Sequence, residues 1–178
     1  MKTARYVPLF LLLAMSTSAL AECNVTASQQ SLSYGRLSPA ERQLQGKDNI
    51  TLMEKQVVVR AVCDTPSRVR LYIGSRSANG NQFSFGNNGS MKVTAANAYL
   101  DDRSVRLSKV HGEGDAVTDS GQASVPLSVN DGLAFVDNGE QPASQVSVTL
   151  TVEPTFKNEA ITDTTDYTGH LRIKVEAQ

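Results

Sequence analysis

The 178-residue chain has no tryptophan, only two cysteines (Cys23 and Cys63) and only two histidines (His111 and His170). Each shortage excludes something. The common zinc patterns need closely spaced pairs of Cys or His, and this chain offers none. Histidine catalysis would have to rest on one of two residues, neither in a recognised nucleophile or metal-ligand spacing, so the sequence reads as a non-enzyme with no metal and no cofactor. Antibody-type packing of an indole on a core disulfide is excluded too. With five Phe and five Tyr, the core must be built mainly from Val, Leu and Ile. After the first 21 residues no apolar run approaches the roughly 20 residues of a membrane-spanning helix. Seventeen Lys and Arg against eighteen Asp and Glu leave no basic excess to hold nucleic acid or an anionic membrane.

What is present begins with an export signature. Lys2 and Arg5 precede an apolar run from Leu9 to Met15, and Ala19-Leu20-Ala21 is a small-x-small end. This reads as a secretory signal peptide, residues 1–21, cut after Ala21. The remainder, 22–178, is 157 residues long and suits one domain with its own core. Losing Lys2 and Arg5 takes the net charge from −1 to −3. Glu22 separates the cut from Cys23, whereas a lipoprotein cysteine must come first, so lipid attachment is disfavoured. An exported pair of cysteines is expected to close into a Cys23–Cys63 disulfide that pins the start of the domain to a strand.

The strand signal is strongest in "QVVVRAVC", where Val57, Val59, Ala61 and Cys63 alternate with Val58, Arg60 and Val62. Apolar residues on both faces point to a central strand that ends at Cys63. "RVRLYIG" repeats the pattern, and shorter runs follow at Phe83/Phe85, Met91/Val93, Val105/Leu107, Val125/Leu127/Val129, Leu133/Phe135 and Val146 to Val152. Asn130-Asp131-Gly132 is expected to make a tight hairpin between "ASVPLSV" and "LAFV", since these residues tolerate positive φ. Pro126 lacks a ladder donor, which puts its strand at an edge or at its start. "SPAERQL" is expected to form one short helical turn capped by Ser38, with Pro39 first. Many short strands and a cysteine-linked start indicate an all-β antiparallel sandwich.

Two polar groups stand out. "HGEGDAVTD" gathers His111, Glu113, Asp115 and Asp119, and "DTTDYTG" holds Asp163, Asp166 and Tyr167. Neither has the ligand order of a calcium loop, and both read as solvated turns in which Asp and Thr bond their own backbone. The final "GHLRIKVEAQ" places Leu171, Ile173 and Val175 on one face and His170, Arg172 and Lys174 on the other, as in a half-buried strand.

These residues carry a family resemblance. A first cysteine at the mature start, "LSYGRLSP" after it, "VVVRAVCDTPSRVRLYI" around the second, and the alternating last strand resemble chaperone-usher fimbrial subunits. "FSFGNNGSMKV" is similar to the glycine-rich stretch of the beta-fimbrial group, and the two cysteine segments also resemble spore-coat-U-like pilin domains. The resemblance implies an immunoglobulin-like sandwich lacking its last strand. A hydrophobic groove beside the C-terminal strand would then be filled first by a periplasmic chaperone, at an outer-membrane usher, and then by a neighbouring subunit. It implies Leu171, Ile173 and Val175 as groove residues and Gln178 as a chaperone anchor, with Ala177 where many such subunits carry tyrosine.

A polymerising subunit carries a donor arm before its first cysteine, whereas here Glu22 alone would precede Cys23. The expectation is therefore a structural or adhesive fimbrial subunit at the fibre tip, passing through the periplasm to the cell surface. A host or surface receptor would be met by loops 74–90 and 111–122. The alternative is a self-contained exported binding or coat protein with a complete sandwich.

Overall fold

In the computed structural model, which describes residues 22–44, 48–76, 78–158 and 165–178, the longest strands follow the two-residue period most clearly. The expected signal peptide and Asp163 lie outside the described residues. Strand β4 (Lys55–Ser67) buries Val57, Val59, Ala61 and Cys63, while Val58 and Val62 on its other face are 44% and 48% exposed. It runs past Cys63, where the sequence reading ended it, because Asp64 N donates to Glu22 O at 3.1 Å and carries the edge pairing onward.

Ahead of β4 come β1 (Cys23–Ala27), β2 (Ser31–Leu37), the helix α1 (Pro39–Leu44) and β3 (Asn49–Thr51). After it come β5 (Val69–Ser75), β6 (Ala78–Asn79), β7 (Gln82–Phe85), β8 (Gly89–Leu100) and β9 (Arg103–Val110). The chain finishes with β10 (Ser124–Leu127), β11 (Gly132–Val136), β12 (Ala143–Lys157) and β13 (Thr165–Ala177). The protein is all-β apart from α1, and every ladder among the described residues is antiparallel.

One sheet runs β1-β4-β12-β8, with β7, β10 and β9 placed one after another along the far edge of β8. The other runs β9-β11-β5-β13. Their inner faces share one core: Val57, Val59, Val148 and Leu150 from the first sheet cluster with Leu71, Ile73, Leu133 and Phe135 from the second. Each such side chain, fully buried, stabilises by about 1.5–3 kcal/mol. Tyr34, Phe85, Phe156 and Tyr167 close one end of this core. The Phe156 and Tyr167 rings stack at 4.2 Å, and Tyr34 meets Phe85 edge-on at 5.3 Å.

Local chemistry explains several joints. Ser38 caps α1 in a capping box: Glu41 N donates to Ser38 Oγ at 3.3 Å and Ser38 N to Glu41 Oε2 at 2.7 Å. Pro126 sits in β10, which pairs with β8 alone and is thus an edge strand. Gly35, at φ 78°, forms a bulge with Tyr34 opposite Tyr167, and this turns β2 against β13. The expected hairpin at Asn130 is not one. The bend exists, with Asn130 at φ 67°, but β10 joins β8 and β11 joins β5 and β9, so the turn carries the chain from one sheet to the other. Two-residue hairpins lie instead at Asp101-Asp102, both at positive φ (43° and 67°), between the paired Leu100 and Arg103, and at Gly80-Asn81, between the paired Asn79 and Gln82.

Candidate assembly groove

Strand β13 belongs to both sheets. Its first half pairs with β2 and touches β7 at Gly169 opposite Phe85; its second half, Leu171–Ala177, pairs with β5. The change of sheet falls between His170 and Leu171, just after Gly169, where an added Cβ would meet Met91 Sδ and require that side chain to shift. Leu171 N donates to Gln30 O at 3.0 Å, the last bond on the β2 side. Among the described residues that edge carries no ladder from Arg172 to Ala177.

Strand β1 is an edge as well. It pairs with β4 alone, from Cys23 opposite Cys63 to Ala27 opposite Val59. The disulfide joins Cys23 and Cys63 with their Cα atoms 4.0 Å apart and fixes this register. Cα atoms of β1 and β13 come within 8 Å of one another, yet the two strands exchange no ladder bond.

Burial marks the strip between these edges. Cys23, Val25 and Ala27 on one side and Ile173 and Val175 on the other are half-buried against the core. Their register partners Ala61, Val59, Ile73 and Leu71 are completely buried. Leu171, nearest the closed end, is 3% exposed. The three apolar residues read from the last strand thus share the inward face. The residues missed were the opposite wall, Val25 and Ala27, which only the Cys23–Cys63 register could have placed there. Gln178 is engaged within the chain: its N donates to Arg68 O at 3.0 Å, its O accepts from Arg68 N at 2.9 Å, and its side-chain amide donates to Glu176. An extended segment adding to either rim would find unpaired backbone donors and acceptors there, although where the rims come within 8 Å they are closer than the roughly 10 Å that a strand bonded to both would need.

The acidic loop after β9 is folded over the outer face of the second sheet. Asp115 Oδ2 accepts from the amides of His111 and Gly112 at 2.9 and 2.8 Å, Asp119 accepts from Gly121 N, and Glu113 pairs with Lys174. Beneath it the buried Arg70 grips Glu140 through two bonds of 2.8 and 2.7 Å and donates to Asp115 O. These bonds hold the Arg70 guanidinium well above its ordinary pKa. Tyr72 OH bonds to Gly112 O and to Glu176, and burial first, then Glu176, pushes the phenol up. His111 Nδ1 lies 3.2 Å from Asp131 Oδ1, whose carboxylate also takes Lys109 and Ser128 N; among the described residues no hydroxyl bonds to His111.

No family model and no solved structure matches the chain. It is 35% identical over 173 residues to the uncharacterized protein YhcE of Escherichia coli (strain K12), an alignment covering 94% of this chain and 96% of YhcE.

Proposed function

We propose that this chain, which belongs to the same family as YhcE, is a non-enzymatic structural or adhesive subunit of a bacterial surface fimbria, assembled by strand addition. The observation that carries the reading is the half-buried strip between two unpaired edges, β1 and the second half of β13. Exposed edges of this kind invite pairing with another chain and are normally blunted or covered. A periplasmic chaperone at the usher, and then a neighbouring subunit, would supply the covering strand. The disulfide that holds β1 in place suits an exported protein.

Co-expression with a periplasmic chaperone of the usher pathway tests the reading. A stable complex, with self-association or instability of the subunit made alone, supports it. The fibre-tip position depends on cleavage after Ala21, and N-terminal sequencing of the exported protein decides it. A first residue at Glu22 supports the tip, and an earlier cut that restores a donor arm overturns it.

One observation favours the alternative of a self-contained exported binding or coat protein. The strands β8, β9, β11, β5, β13 and β7 form a closed circuit, completed by the bridge between Gly169 and Phe85. A monodisperse, highly stable monomer made without any chaperone would favour that reading.

A further inference from the structure

On the outer face of the second sheet, between the start of the acidic loop and strands β5 and β13, lies a cleft of about 410 Å³. Its size falls in the range of about 300–1,000 Å³ typical of small-molecule sites. We propose that this cleft binds a carboxylate-bearing, hydroxylated ligand of the acidic-sugar class, with Arg172 receiving the carboxylate and Asn130 the hydroxyl groups.

The cleft follows from the alternation of β13. Leu171, Ile173 and Val175 point into the core, so Arg172 and Lys174 stand on the opposite face. Arg172 is the register partner of Gly74, which has no side chain to fill the space between them. A Cβ at Gly74 would sit 3.3 Å from Asn130 Oδ1 and 3.8 Å from Arg172 Cβ, so the glycine keeps the floor open.

Two polar groups lining this space have no protein partner among the described residues. The solvent-exposed Arg172 guanidinium has no ion pair, and the Asn130 side-chain amide has no hydrogen bond. The nearby acids are occupied: Glu113 holds Lys174, Asp131 holds Lys109 and His111, and Glu176 takes Tyr72 OH and the Gln178 amide. An unpaired guanidinium is a planar fork shaped for a carboxylate. Asn130 Oδ1 is an acceptor, which a simple anion cannot satisfy and a sugar hydroxyl can.

The walls are set before any ligand arrives. Tyr72 OH bonds to Gly112 O at 3.0 Å, Asp115 ties the amides of His111 and Gly112, and Asn130 N donates to Ile73 O at 2.8 Å. Such preorganisation lowers the cost of ordering on binding. The proposal does not rest on strand addition: the cleft is set by the outward-facing Arg172 and Lys174, and Ile173 is the one residue it shares with the groove wall.

The test is a titration of the isotope-labelled exported protein with glucuronate and with N-acetylneuraminate, followed by amide chemical shifts. Glucose serves as the neutral control and acetate as the simple-anion control. Expected are saturable shifts centred on Gly74, Gly112 and Asn130 with at least one acidic sugar and none with glucose. Arg172→Gln should weaken binding by at least about tenfold, while Lys92→Gln, on the other sheet, leaves it unchanged. An unaltered spectrum away from the cleft verifies that the Arg172 variant is folded. The proposal is overturned if neither sugar shifts these amides, if Arg172→Gln binds as tightly, or if acetate reproduces the effect at equal concentration. It is equally overturned if a peptide C-terminal carboxylate saturates the cleft while both sugars stay inert.

Discussion

Ile173 and Ile73 face each other across the β13–β5 ladder, yet Ile73 is completely buried and Ile173 only half-buried. Two isoleucines in one register differ because β5 is flanked on both sides and this half of β13 on one. Truncating them should therefore separate their roles. Ile73→Ala should cost about 2–5 kcal/mol of unfolding free energy, while Ile173→Ala costs clearly less in the subunit alone. In denaturant titrations equal losses would mean that the strip beside Ile173 is already covered.

Gly169 lies two residues before the point at which β13 leaves one sheet for the other. Gly169→Ala should destabilise by about 1–3 kcal/mol through overpacking against Met91, and Met91→Ala in the same molecule should return part of that loss. A purely additive double mutant would show that the two positions do not meet.

The Cys23–Cys63 bond closes a loop of sequence separation 40, for which chain entropy gives about 4 kcal/mol. Cys23→Ala together with Cys63→Ala should lower stability by up to that amount. Amide exchange should accelerate first at Val25 to Ala27, because β1 has no second neighbour.

Burial pushes the Tyr34 phenol up to about 12 from an ordinary 10. The folded state then keeps its proton longer than the unfolded chain. Stability due to Tyr34 is thus fully present below pH 10 and declines as pH rises from about 10 to 12. Subtracting the phenolate absorbance titration of Tyr34→Phe from that of the parent isolates this group, and a midpoint near 10 would contradict the placement of Tyr34.

Glu140 balances Arg70, which is 4% exposed. Glu140→Ala strands a buried guanidinium and should cost about 3–5 kcal/mol. Thermal unfolding measures it, and a loss comparable to that of an exposed pair such as Lys92–Glu153 would show that Arg70 finds water instead.

Much of this architecture is legible in the residues because it is local. The period of two in β4, the Ser38–Glu41 cap and the edge position of Pro126 need only near neighbours. What is hidden depends on distant partners. Asn130 signals a bend but not which sheet the next strand joins, and Asp101-Asp102 makes a tight hairpin without the glycine that usually marks one. Gly169 reads as a strand start until Met91, far off in the chain, is placed against it. Arg70 looks like a surface residue until Glu140 arrives beneath the acidic loop. The apolar face of the last strand is readable from alternation, whereas its uncovered edge is a property of topology.

The proposed assembly requires the edge from Arg172 to Ala177 to be open in the isolated protein and covered in a fibre. Hydrogen exchange of the protein alone and mixed with a periplasmic chaperone of the usher pathway measures this directly. The account predicts fast exchange for the outward-facing amides of Arg172–Ala177 in the free subunit and strong protection there, and along β1, in the complex. Slow exchange along that edge in a chaperone-free monomer, unchanged on mixing with the chaperone, would contradict it.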